Sequence, residues 1–225
     1  MPPGDPADWS IDPPVPGDAR LVLVYGGAFD PPHRGHVEPA LAARDAVGAD
    51  WIVYVPASAP PLRDAAPVAS GADRMRMLRR ALAGRDRASV CDAELARGGV
   101  SYTIDTLRLV RDRLPAGARL RLLIGADQAR QFHNWRDADE ILRLAEPVVM
   151  VRGGGPDAGD LARDLASRWP AEEAERWRGR VVPTPIVDAS SSAVREALAR
   201  GDDAALGSML ATPVLEYIRE RGLYT

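Results

Sequence analysis

Five consecutive apolar residues, Leu21-Val22-Leu23-Val24-Tyr25, read as a strand buried on both faces. Comparable runs predict strands at 51–55, 120–124 and 147–151, with shorter ones at 89–91 and 180–182. Between them, apolar residues recur at helical spacing over 37–47, 72–83, 103–114, 137–145, 190–200 and 213–221. The 72–83 segment shows it through Met75, Leu78 and Leu82, with Asp73 early and Arg79-Arg80 late, as the helix dipole prefers. Strands alternating with helices over short links predict an α/β fold: a doubly wound parallel sheet covered on both faces, with a small C-terminal helical portion. Ligands of such sheets sit beyond the carboxyl ends of the strands, where strand order reverses. The exits after Tyr25, Val55 and Ile124 are therefore expected to converge.

Two stretches break the alternation, 57–71 and 153–177. The second opens Gly-Gly-Gly-Pro, continues charged and alanine-rich, and reads as a surface helix or insertion. Residues 1–20, rich in proline, read as a poorly ordered extension, and 21–225 as one domain. Of the 225 residues, 46% are hydrophobic and 27% charged, the balance of a globular protein. No apolar run approaches the ~18–20 residues of a membrane span, and residues 1–18 lack the charge and apolar pattern of a secretory signal. Neither a membrane nor a nucleic-acid partner is expected, the latter because the formal net charge is −3. The single cysteine, Cys91, reads as a strand packing residue and fits a reducing cytoplasm. Lysine is absent, so all 29 basic residues are arginines, and any anion clamp must use arginine, histidine or backbone N–H groups.

The chemistry concentrates in Gly26-Gly27-Ala28-Phe29-Asp30-Pro31-Pro32-His33-Arg34-Gly35-His36. Glycines at a strand exit let the backbone approach an anion closely. The first turn of the following helix offers N–H donors and a partial positive charge, and the two histidines add donors for phosphate oxygens. Pro39 fits only a first turn, which places the helix start near Gly35 or His36. Asp30 reads equally well as a substrate contact or as a cap of the loop. Ser190, Ser191 and Ser192 precede a helix carrying Arg195, an arrangement that caps the helix and can also hold a phosphate.

The pattern G-G-x-F-D-P-x-H-x-G-H resembles the nucleotidyltransferase signature. Three further motifs follow in order: Ser101-Tyr102-Thr103-Ile104-Asp105-Thr106-Leu107, Ile124-Gly125-Ala126-Asp127 with Phe132 and Trp135 beyond it, and Ser190-Ser191-Ser192-Ala193-Val194-Arg195. With the terminal Gly222-Leu223-Tyr224, the chain from about residue 21 onward resembles bacterial nicotinate-nucleotide adenylyltransferases. The resemblance implies a Rossmann-like nucleotidyltransferase fold and transfer of AMP from ATP to nicotinate mononucleotide, with Mg²⁺ held mainly by ATP phosphates and water rather than by a protein metal site. It assigns catalysis to His36, His33 and Arg195. ATP contacts fall to Gly26, Gly27, Ala28, Phe29, His33, His36, Gly125, Asp127, Arg152, Ser190, Ser191 and Arg195. Contacts to nicotinate mononucleotide fall to Asp30, Arg63, Tyr102, Thr103 and Trp135. A homo-oligomer is compatible with it.

One departure stands out. The family commonly carries P-P-H-K after the second strand, whereas this chain has Pro60-Pro61-Leu62-Arg63, where Arg63 keeps the charge and Leu62 loses a histidine's hydrogen bonds. Alternatives are a transferase acting on phosphopantetheine or a phosphorylated alcohol, and a nucleotide-binding regulator without catalysis. The R-T-x-G-I-S-T-T run usual in related cytidylyltransferases is missing, and the retained histidines and Arg195 argue against a silent regulator.

Overall fold

Alternating side chains divide the first long strand between two cores. The computed structural model describes residues 9–59, 66–152 and 156–224. In strand β2 (Leu21–Gly27), Val22 and Val24 face one core, while Leu21, Leu23 and Tyr25 face the other. β2 pairs in parallel with β3 (Trp51–Pro56) on one side and β5 (Arg119–Gly125) on the other. Outward from β3 lie β4 (Ala88–Cys91) and the two-residue β1 (Ile11–Asp12); outward from β5 lie β6 (Glu146–Arg152) and β7 (Val181–Thr184). The sheet order is β1-β4-β3-β2-β5-β6-β7, so strand order reverses between β2 and β5. That is the switch point where a doubly wound sheet opens a crevice. In register, Gly27 of β2 stands opposite Pro56 of β3, and Tyr25 opposite Leu123 of β5.

Helices cover both faces, as the pattern predicts. Helix α1 (Arg34–Ala46) and α2 (Gly71–Ala81) bury Val37, Ala40, Met75 and Leu78 against one face. α3 (Ala93–Arg97), α4 (Thr103–Arg113), α5 (Ala126–Gln131), a 3₁₀ turn (Phe132–Asn134) and α6 (Ala138–Leu144) lie along the segments that supply Ala93, Ile104, Leu107, Phe132 and Ile141 to the other. A third cluster joins α9 (Ser191–Arg200), α10 (Asp203–Met209) and α11 (Thr212–Arg221) to Met77 of α2, and forms the C-terminal helical portion. Cys91 is buried in β4, where desolvation pushes its thiol up to about 12 and leaves it unreactive.

Three expectations need correction. Residues 9–20 belong to the packed structure: β1 pairs antiparallel with β4, Trp9 is buried, and the Arg113 guanidinium lies 4.3 Å from the Trp9 ring. Proline there limits strand length without preventing one edge pairing. The 153–177 stretch is more than a surface insertion. Its helices α7 (Pro156–Ala166) and α8 (Ala171–Gly179) bury Leu161, Leu165 and Trp177 in the main core. Helix α1 begins at Arg34, with His33 as its N-cap, and accommodates Pro39 beyond its first turn. Beyond these, α3, α5 and α10 are too short to show a helical period in sequence.

Candidate functional site

The signature loop is short of hydrogen-bond donors, because Pro31 and Pro32 have no N–H. It must therefore be held through its acceptors, and each acceptor described here is taken by a different part of the chain. Arg74 of α2 donates from Nη1 to the carbonyls of Ala28 (2.7 Å) and Ala57 (2.8 Å), and from Nε to Ala69 (3.3 Å). Arg195 of α9 donates to the Asp30 carbonyl at 2.6 Å, and Ser191 Oγ to the Pro31 carbonyl at 3.0 Å. The Asp30 carboxylate accepts from Val68 N at 2.6 Å, Ala69 N at 3.1 Å and the Tyr224 hydroxyl at 2.6 Å. Charge-assisted bonds of this kind are the stronger class, and here they are shielded from water.

Steric constraints complete the loop. A Cβ on Gly27 would lie 3.0 Å from the Phe29 ring, and one on Gly35 would lie 2.9 Å from the Ala189 carbonyl and 3.0 Å from His33 Nδ1. Gly35 thus lets the start of α1 approach the segment leading into α9. Phe29, in the left-handed region at φ 50°, is buried, with its ring edge-on to Tyr25 at 5.6 Å and to His36 at 5.1 Å. The His33 and His36 rings lie 3.8 Å apart between centroids, with His33 buried at the helix N-cap and His36 in the first turn. Two imidazoles therefore lie in close contact, tilted 33° to one another, at the positive end of α1, just past the switch point.

The other predicted residues divide into several groups. Ser190 caps α9 by accepting from Ala193 N at 3.1 Å. Ser191 and Arg195 both hold loop carbonyls, as described above. Gly125 ends β5 and caps α5, within the crevice. The Asp127 side chain points into solvent and pairs with Arg130 at 3.3 Å. Asp30, read as a substrate contact or a cap, has its carboxylate committed to three protein donors, which favours the structural role. Arg63 and the Arg152 side chain lie outside the described residues.

Tyr102 and Thr103 open α4, and this start is tied to the β3 exit. Ser58 N donates to Ser101 Oγ at 3.0 Å, and Ser101 N to the Ala59 carbonyl at 3.0 Å. Buried Glu94 accepts from Thr106 Oγ1 at 2.6 Å, and its carboxyl is pushed up by desolvation, partly offset by hydrogen bonds from Ser101 and Thr106. The Arg136 guanidinium sits 4.7 Å from the Tyr102 ring centre, bringing the Trp135 segment beside α4. Trp135 packs on Phe132 at 5.2 Å; Phe132 meets Trp177 at 5.4 Å, and Trp177 stacks on Trp169 at 5.7 Å. A groove of about 480 Å³ runs past Trp135, lined also by His133, Ala138, Glu140, Arg143 and Trp169. Among the described residues no three His, Cys, Asp or Glu side chains converge as a metal cage, and no helix is long and apolar enough to cross a membrane.

Sequence reasoning left Arg74 and Tyr224 without a role. Arg74 carried a visible signal: it shares a helical face with Met77 and Leu78, where an arginine needs buried partners.

A tied loop carrying two histidines and closing onto a helix N-terminus at the switch point of a parallel sheet is the architecture of a nucleotidyltransferase. The pattern of the cytidylyltransferase-like family matches residues 24–197. A probable nicotinate-nucleotide adenylyltransferase of Gloeobacter violaceus is 38% identical over 206 residues, covering 89% of this chain and 94% of its own. Another, of Shouchella clausii, is 37% identical, covering 91% and 97%. The fold matches Plasmodium falciparum nicotinic acid mononucleotide adenylyltransferase complexed with NaAD, with TM-score 0.62 and 16% sequence identity, over 91% of this chain and 97% of that one. The chain belongs to the cytidylyltransferase-like family and, within it, to the nicotinate-nucleotide adenylyltransferases.

Proposed function

We propose that this protein transfers AMP from MgATP to nicotinate mononucleotide, releasing pyrophosphate and forming deamido-NAD. The observation that carries the reading is the closely packed His33–His36 pair on a tied loop at the switch point. The acceptor's phosphate oxygen is already anionic, so no base is needed to generate it. It attacks the α-phosphorus, a new P–O bond forms, and the bond to the β-phosphate oxygen breaks as pyrophosphate departs. The barrier is repulsion between anions, and the protein lowers it by positioning and by donors aimed at developing charge. His36 is assigned to the reacting phosphate and His33 to the leaving group. Amides of Gly27, Ala28 and Phe29 and the Arg195 guanidinium supply further donors. Mg²⁺ arrives with the substrate, held by phosphate oxygens and water.

Tyr102, Thr103 and Trp135 are assigned to the acceptor. The indole N–H of Trp135 is buried with no acceptor among the described residues, which supports a polar ligand group at that position. The test supplies MgATP with nicotinate mononucleotide, nicotinamide mononucleotide or phosphopantetheine and follows pyrophosphate. Preference for the nicotinate form is expected. Equal turnover of phosphopantetheine, or no turnover with any acceptor, would overturn the reading.

A further inference from the structure

We propose that Tyr224 is a positioning residue for this transfer, setting from the far end of the chain the loop that carries His33 and His36. The inference rests on the adenylyl-transfer reading above. Its basis is the shortage of donors in the loop. With two prolines in succession, residues 30–32 contribute one backbone N–H, and the loop is located by what binds its oxygens. Asp30 Oδ2 takes Val68 N; Oδ1 takes Ala69 N and the Tyr224 hydroxyl. The Tyr224 bond is as short as any of these, and it spans 194 positions in sequence.

The chain bends sharply to make that bond. Helix α11 ends at Gly222, left-handed at φ 58°, and Leu223 N returns to the Ile218 carbonyl at 3.0 Å. Tyr224 itself is left-handed at φ 64°, which costs a non-glycine residue roughly 1–2 kcal/mol. A conformation of that cost needs a compensating contact, and the Asp30 bond supplies one. Burial and the neighbouring carboxylate both push the phenol's ionisation upward, so it remains a donor. Tyr217 of the same helix offers an internal contrast. Its hydroxyl donates to Asp73 at 2.7 Å, and its ring lies 4.5 Å beneath the Arg80 guanidinium, so it joins α11 to α2 without touching the loop.

The experiment compares the full chain with Tyr224→Phe and Tyr217→Phe, measuring kcat, KM for MgATP and nicotinate mononucleotide, and Tm. Tyr224→Phe is expected to lower kcat about tenfold, with both KM values within about twofold, because geometry at the reacting centre is loosened. Tyr217→Phe is expected to lower Tm while kcat holds. The proposal is overturned if Tyr224→Phe retains kcat within about twofold, or if its loss merely tracks Tm as in Tyr217→Phe. An inactive wild-type chain would instead refute the adenylyl-transfer reading.

Discussion

The signature loop and the side proposed to take the acceptor are built by different means. The loop is bonded through the Ala28, Asp30 and Pro31 carbonyls and the Asp30 carboxylate, by donors from α2, α9, the 68–69 segment and Tyr224. The acceptor side is assembled mainly from ring contacts: Arg136 on Tyr102, and Trp135 on an aromatic stack reaching Trp177. Directional bonds fix atoms to fractions of an ångström, whereas ring packing tolerates sliding. The reacting phosphates need the first kind of support. Recognition of a planar base needs a surface, and the second kind provides it.

This contrast can be broken experimentally. The largest effect is expected from His36→Ala, with kcat falling about a hundredfold to a thousandfold while ATP still binds by calorimetry. Near-normal turnover would remove His36 from catalysis. Arg74→Met should follow, since it strands three buried carbonyls, costing about 3 kcal/mol of stability and most of the activity. Denaturant unfolding would check it. Gly35→Ala should cost about 1–3 kcal/mol through its clash with the Ala189 carbonyl, with kcat reduced more than KM. Trp135→Ala should leave kcat and ATP affinity near normal and raise the acceptor KM about tenfold. A collapse in kcat there would mean that the two sides are not separable.

The smallest effect concerns Glu94. Its carboxyl is raised from the ordinary 4.5 chiefly by burial, so the folded state binds this proton more tightly than the unfolded state does. Its contribution is greatest below the unfolded value and is lost as pH rises through the raised folded value. The Tm difference between Glu94→Gln and the parent should therefore grow in the variant's favour as pH rises above about 4.5. A difference constant with pH would contradict that assignment.

The long strands and helices were legible because burial imposes period on sequence, as in residues 21–25 and 103–114. The signature loop was legible because glycine, proline and histidine carry local chemistry. What sequence did not reveal was partnership across distance. Asp30 could not be separated from a substrate contact until Val68, Ala69 and Tyr224 were placed around it. Nothing in the 153–177 composition announced that Trp177 would underpin the ring stack of Trp135. Short elements such as β1 and α3 lacked the length to show a pattern, and were fixed by tertiary contacts instead.

The clasps on the proline pair also impose an order in time. Ser191 and Arg195 lie 160 and 165 residues beyond the carbonyls they hold. On a ribosome, the catalytic signature emerges well before these fasteners. Contacts of such separation carry a high entropic cost and form late. A nascent chain that had not yet released residues 191–195 would thus display the nucleotide-binding motif without the geometry to use it.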